Sequence, residues 1–434
     1  MTKTLKLCLL GIILLHFCLA TQFELSHDEA YYWLFSKNLD WGFFDHPPFV
    51  AILIRIFSFL PHSEIAVRAG FILLQATSVY LLLKMVKPNR QWHAFLLFFA
   101  CPLASFAGLL ALPDLPLLFM TVVYFSFLKR YLEKADSISI MGLSLAIPLL
   151  LYGKYHGILL IFFTILAVPK LLLRKDFYLI TAISIILFFP HVIWQYEHEF
   201  ATLRYHFIER PKADFQVKRL LEYIGAQIFL PGLFIGPVLW WTILKNKTTT
   251  DFNRSLKVIS VGVVLFFFIS TLSKKFEANW TIFLTIPLIL LTLEDSVWDK
   301  TILTRTLLGC SLLVILTRLL FMSTSVKRLN EFHGWKKWSS EIQAKCQGPV
   351  LANTYQIASK LSFYLEQPIH ALNYHSRKNQ FDFWKPDSSY YLTSSVCYVT
   401  AKREFGGEEI LSPEGKSMRL VRDFNPARNL KNSP

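Results

Sequence analysis

The chain has 434 residues, of which 53% are hydrophobic and only 17% charged, with a mean hydropathy of +0.41. A soluble domain of this length needs far more polar surface, so an ordinary soluble fold is excluded. The net charge of +15 is spread between apolar runs rather than gathered on one domain, which argues against a nucleic-acid partner.

Many apolar runs are long enough to cross the roughly 30 Å hydrocarbon core as helices. The first, residues 5–20, follows Lys3 and Lys6 and fits either a cleaved signal peptide or, as preferred here, an uncleaved anchor. Residues 49–60 are too short to span and are interrupted by Arg55, which predicts an interfacial or re-entrant helix. Further spans are predicted over 66–86, 92–112, 115–132, 137–152, 156–173, 177–194, 220–244, 257–273, 280–294 and 302–322, about eleven in all. Basic residues concentrate at one set of helix ends, including Lys84, Lys87, Arg90, Lys129, Arg130, Arg174 and Lys175. The positive-inside rule then sets the N-terminus in the cytoplasm and exports the C-terminus. Residues 1–322 form the expected membrane domain, and the more polar 323–434 an exported soluble α/β domain. There, 350–352 and 390–393 read as strands and 354–365 as a helix. Cys346 and Cys397 both fall in this domain, where an oxidising compartment permits a disulfide and two free thiols remain the alternative.

The ionisable residues are one-sided. The predicted outer loops hold His27-Asp28-Glu29-Ala30-Tyr31-Tyr32-Trp33, Gly42-Phe43-Phe44-Asp45-His46-Pro47-Pro48, Leu112-Pro113-Asp114, Tyr152-Gly153-Lys154-Tyr155 and Phe276-Glu277-Ala278-Asn279-Trp280. Asp114 and Lys154 lie in short turns near membrane depth, where a charge is costly unless it pairs or meets water. Each also has a structural reading: Asp114 as a helix cap, Lys154 as a snorkelling side chain. Asp28-Glu29 fits a helix first turn, and His46-Pro47-Pro48 a rigid bend. Carboxylates beside His and Lys at the headgroup level can deprotonate a nucleophile and hold an anionic leaving group, the chemistry of transfer from a lipid phosphate.

These motifs, with Pro190-His191-Val192-Ile193-Trp194-Gln195 and Asn379-Gln380-Phe381-Asp382-Phe383-Trp384, resemble bacterial members of the protein mannosyltransferase superfamily, on the branch of the lipid A aminoarabinose transferase. The resemblance implies a mainly α, polytopic GT-C glycosyltransferase in the bacterial inner membrane. Its donor would be a polyprenyl-phosphate sugar and its acceptor a glycolipid, glycan or protein on the exported face, with inversion. It implies Asp28 as general base or acceptor-orienting carboxylate with Glu29 beside it, and Asp114 as a second catalytic carboxylate. Lys154 and His46 would meet the donor phosphate, while Tyr32, Asp45, Glu277 and Asn279 line the substrate site. Where the aminoarabinose enzymes carry Lys before the proline, this chain has His46. His27, Asp28, Asp45 and His46 are ligand types for a divalent metal, but they lack tight ligand spacing, and the transfer needs no cofactor. The rival classes are a secondary transporter, which would show related halves and a midplane site, and a nonenzymatic scaffold indifferent to Asp28 and Asp114.

Overall fold

The computed structural model describes residues 1–205, 215–322, 326–346, 348–384 and 396–426. The helices run α1 (Lys3–Ala20), α2 (His27–Lys37), α3 (Phe49–Ile56), α4 (Glu64–Met85), α5 (Gln91–Ala100), α6 (Pro102–Phe106), α7 (Asp114–Glu133), α8 (Ser137–Gly153) and α9 (Gly157–Ala167). They continue as α10 (Lys175–Glu197), α11 (Ala201–Arg204), α12 (Val217–Phe229), α13 (Gly236–Lys245), α14 (Asp251–Thr271), α15 (Thr285–Thr292) and α16 (Thr301–Thr317). Among the described residues, α1, α4, α7, α10, α14 and the 301–322 run are the six helices long and apolar enough to cross a bilayer.

The other predicted spans also fall on helical residues, but they are shorter or broken, so eleven uniform spans do not map one to one onto helices. Pro102 lacks an N–H to continue the ladder and divides 92–112 into α5 and α6. The 220–244 run breaks around Pro231 and Gly232, whose φ is +149°. Residues 280–294 begin as 3-10 turns over Ala278–Leu284 before α15. The predicted interfacial helix is α3, eight residues long, with Val50, Ala51, Leu53 and Ile54 turned inward.

After α16 come α17 (Trp335–Lys345), β1 (Val350–Ala352), α18 (Tyr355–Leu365), β2 (His370–Ala371), β3 (Val396–Thr400), β4 (Glu408–Leu411) and β5 (Ser417–Phe424). The strands form one sheet in the order β2-β1-β3-β5-β4. β1 is parallel to β2 and β3, and β5 is antiparallel to β3 and β4. The predicted strand at 350–352 and helix at 354–365 correspond to β1 and α18, while the predicted strand at 390–393 lies outside the described residues. Cys346 and Cys397 are joined as a disulfide, with a Cα separation of 5.8 Å, tying the end of α17 to β3. One hydrophobic core runs without interruption from the long helices into this layer, linking Tyr31 and Phe35 of α2 to Ala358 and Leu361 of α18 and to Phe381.

Candidate active site

The site is built on the start of α2. Ser26 is its N-cap, and a capping box closes it: the Ser26 hydroxyl accepts from the Glu29 N–H at 3.1 Å, and Glu29 Oε2 accepts from the Ser26 N–H at 2.8 Å. Glu29 is fully buried, and its carboxylate meets Arg68 as a fork, with Nε to Oε1 at 2.7 Å and Nη2 to Oε2 at 2.8 Å. The Ala111 N–H adds a further bond to Oε1 at 3.0 Å. Arg68 of α4, also fully buried, donates to the carbonyls of Ala20, Phe23 and Glu24 as well. Arg68 holds the Glu29 carboxyl below its ordinary range against the opposing effect of burial, which is the largest single influence. Every oxygen of Glu29 is thus engaged in holding the chain, and the residue expected to assist Asp28 chemically is placed as its mount.

The C-terminal layer clamps the same segment from above. Lys360 of α18, fully buried, donates to the carbonyls of Leu25 and Glu331, and the Leu25 N–H donates to the Tyr364 hydroxyl at 2.9 Å. Burial brings the Lys360 ammonium down to about 7, with Glu331, Glu24 and Glu29 acting to raise it. Glu24 in turn accepts from the first N–H groups of α17, those of Trp335 and Lys336, at 2.5 and 3.0 Å.

Held this way, Asp28 presents its carboxylate to solvent within a crowded recess. The Tyr355 hydroxyl lies 3.5 Å from its Oδ1. Partial dehydration, with Glu331 and Asp45 nearby, raises its pKa to about 6. Asp45 is buried, accepts from the Tyr31 hydroxyl at 2.9 Å, and pairs with Arg377 at 2.8 Å. Burial nevertheless raises its pKa, with Arg377 opposing. Arg377 lies over the rings of Tyr205 and Tyr355, 5.0 and 5.6 Å from their centroids. The loop carrying Asp45 is fastened to α10: the Trp194 indole donates to Asp40 at 2.9 Å, and a His191 ring nitrogen lies 2.6 Å from the Trp41 carbonyl. Gly42 permits this approach, since a Cβ there would sit 2.5 Å from the Trp194 ring.

A second polar cluster forms where α7, α8 and the 278–284 turns meet. Asp114 stands at the first position of α7, yet it makes no side-chain cap bond. Its Oδ1 instead lies 2.8 Å from Lys154 Nζ, and Asn279 Nδ2 donates to both oxygens at 3.2 and 3.1 Å. Asp114 and Lys154 are 5% and 4% exposed, so Lys154 turns inward to a partner rather than out to the headgroups. Gly153 allows the contact: a Cβ there would stand 3.1 Å from the backbone nitrogen of Leu117. Glu277 lies at the rim, 3.8 Å from Lys275.

Tyr32 joins the two clusters. Its buried hydroxyl is pushed well above the ordinary phenol range, first by burial and then by the charges of Asp28, Asp45 and Asp114. The His46 ring packs edge-on against Tyr32, with centroids 5.5 Å apart. His27 turns away, its Nε2 2.6 Å from Glu414 Oε1. Among the described residues, no group of three or more His, Cys, Asp or Glu is placed to hold a metal. The residues that sequence reasoning passed over are Arg68, Tyr355, Lys360 and Arg377. For Arg377, the nearby Asn379-to-Trp384 motif was the available signal.

The chain superposes over 98% of its length on ArnT from Cupriavidus metallidurans, with TM-scores of 0.67 for the form bound to undecaprenyl phosphate and 0.69 for the apo form, at 12% identity to each. These cover 99% and 98% of the two ArnT chains. The chain therefore has the fold of ArnT. Residues 45–194 match the dolichyl-phosphate-mannose-protein mannosyltransferase family model. A curated relative, the lipid A galacturonosyltransferase RgtD of Rhizobium johnstonii, is 24% identical over 276 residues, which is 59% of this chain and 57% of that protein. The chain is thus similar to this mannosyltransferase family over residues 45–194, to RgtD over 276 residues, and to ArnT in fold over nearly its whole length.

Proposed function

We propose that the chain transfers a sugar, with inversion, from a polyprenyl phosphate to a hydroxyl of a lipid acceptor at the exported face of the inner membrane. The observation that carries this reading is the run of contacts from Asp28 to the Tyr355 hydroxyl, from the Tyr355 ring to Arg377 and from Arg377 to Asp45, which supports one shared recess for carboxylates drawn from distant segments. Asp28 accepts the proton of the acceptor hydroxyl while the oxygen attacks the anomeric carbon. The bond from that carbon to the phosphate oxygen breaks, and polyprenyl phosphate departs with the electron pair. An ammonium has three N–H donors; one of those of Lys154 goes to Asp114, which leaves two for a phosphate oxygen. His46 beside Tyr32 adds a donor. Asp114, aligned by Lys154 and Asn279, orients the donor sugar, and Arg377 and Asp45 line the acceptor side. Holding both substrates in register supplies much of the acceleration.

The donor class is supported by the undecaprenyl phosphate bound to ArnT, and the lipid acceptor by the name of RgtD. The crowding of basic residues at the helix ends opposite this site supports an exported active face. The test is mass spectrometry of envelope glycolipids with and without the gene, followed by transfer from a synthetic polyprenyl-phosphate sugar to purified glycolipid. Unchanged glycolipids together with an inert purified protein would exclude the reading.

A further inference from the structure

The loop that carries Asp45 is closed onto α2 and the C-terminal layer by a ring of hydrogen bonds. The Phe44 N–H donates to Gln380 Oε1 at 2.7 Å, the Gln380 N–H donates to the Tyr31 hydroxyl at 2.7 Å, and that hydroxyl donates to Asp45 Oδ2 at 2.9 Å. Phe44 and Asp45 are neighbours along the chain, so the ring closes through one peptide link. Gln380 comes from 336 positions beyond Phe44 and 349 beyond Tyr31. Tyr31, Phe44, Asp45 and Gln380 are all buried.

The direction of each bond is set by its donor. A backbone N–H only donates, so the Tyr31 oxygen uses a lone pair on Gln380, and its single hydrogen is left for Asp45. Burial, and then the Asp45 charge, push the Tyr31 phenol well above its ordinary range, so it keeps that hydrogen. Asp45 is therefore held at both oxygens, by Tyr31 on Oδ2 and by Arg377 on Oδ1 at 2.8 Å, which stops its carboxylate from rotating. The turn Gln380–Asp382 is itself braced: Asn379 and Asp382 close a capping box, and the Asn373 side chain donates to Asp382 at 3.0 Å. The Tyr31 ring stacks on Phe381 with centroids 6.1 Å apart. A phenylalanine would fill the same space, so the hydroxyl is the part of Tyr31 that packing does not require.

We propose that Tyr31 and Gln380 are positioning residues for the transfer: together they set the rotation of the Asp45 carboxylate, and through it the seat of the acceptor beside Asp28. The role rests on the glycosyl-transfer reading, with Asp45 on the acceptor side, while the ring itself can be measured without turnover. Hydrogen exchange of the full-length protein in nanodiscs, read by mass spectrometry on peptides covering 42–46 and 378–384, tests the ring. Tyr31→Phe should speed exchange in the second peptide and Gln380→Met in the first. No change in either variant would remove the ring, whatever the protein catalyses. Transfer is then followed with the purified proteins and lipids extracted from a strain lacking the gene, whose glycolipids serve as acceptor and whose polyprenyl-phosphate sugars serve as donor. Tyr31→Phe should raise the acceptor KM about tenfold, the equivalent of one hydrogen bond to a charged group, with the donor KM unchanged. Gln380→Met should act in the same direction by freeing the Phe44 end. In an Asp45→Ala background, Tyr31→Phe should add nothing further to the acceptor KM, because it acts through that carboxylate. Additive effects, or a fall in kcat with the acceptor KM unchanged, would overturn the positioning role. An intact ring in a wild type that transfers no sugar would instead remove the glycosyl-transfer reading, and the positioning role with it.

Discussion

Lys154 Nζ lies 2.8 Å from Asp114 Oδ1, and both side chains are almost wholly withdrawn from solvent. Two residues that could each have been a simple helix-end feature are thereby a single unit, with Asn279 as its third member. Removing one partner of such a pair strands the other charge in a dry setting, which costs about 3–5 kcal/mol. Lys154→Met and Asp114→Asn are each expected to lower thermal stability and abolish transfer. The double variant should lose clearly less stability than the sum of the two, because no unpaired charge remains. Thermal unfolding in detergent of all four proteins measures the coupling, and additive losses would contradict the pairing.

Asp28 should govern the pH profile. A base works only when ionised, and with the Asp28 carboxyl raised to about 6 the transfer rate should climb as pH rises through about 6 and level off above it. Asp28→Asn should lower kcat by about 10²–10⁴-fold, the usual share of a general base, with the protein still folded in the membrane. The measurement is kcat against pH for the wild type, with circular dichroism and thermal unfolding for the variant. A flat profile across this range would remove Asp28 from the proton-transfer step.

Glu29 is expected to behave as a structural group. Glu29→Gln leaves Arg68 without its fork inside a buried pocket, so a loss of about 3–5 kcal/mol is expected. Limited proteolysis should detect loosening around the 20–29 segment. Arg68→Met should give the same phenotype, since it removes the other half of the pair.

The disulfide closes a chain segment of 51 residues, for which loop-entropy arithmetic gives about 4 kcal/mol. Cys346→Ser with Cys397→Ser should therefore lower the melting temperature of the C-terminal layer. Donor binding should persist, because Lys154 and His46 lie outside the sheet. Arg377→Ala, by contrast, should raise the acceptor KM, since Arg377 anchors Asp45 from the C-terminal layer.

Several elements are legible in the sequence because they depend on neighbours along the chain. The first-turn acids of α2, the short β1 and the helix after Thr354 follow local patterning. The partners of those acids are not legible. Arg68 reaches Glu29 across 39 positions, and Lys360 reaches Leu25 across 335. Nothing local to Arg68 or Lys360 distinguishes them from snorkelling or surface cations.

The sequence by itself determined a helical membrane protein with its acids, histidines and aromatics gathered at one set of loops, because long apolar runs and the spacing of polar interruptions follow from solvation alone. Only the tertiary structure decided which acid is buried and paired and which opens to solvent. Glu29 and Asp28 are adjacent and chemically alike, yet one is neutralised by a buried guanidinium and the other opens to solvent near further carboxylates. That division depends on which side chains other helices and the C-terminal layer bring within a few ångströms, and electrostatic energy falls too steeply with distance and burial for chain order to fix it.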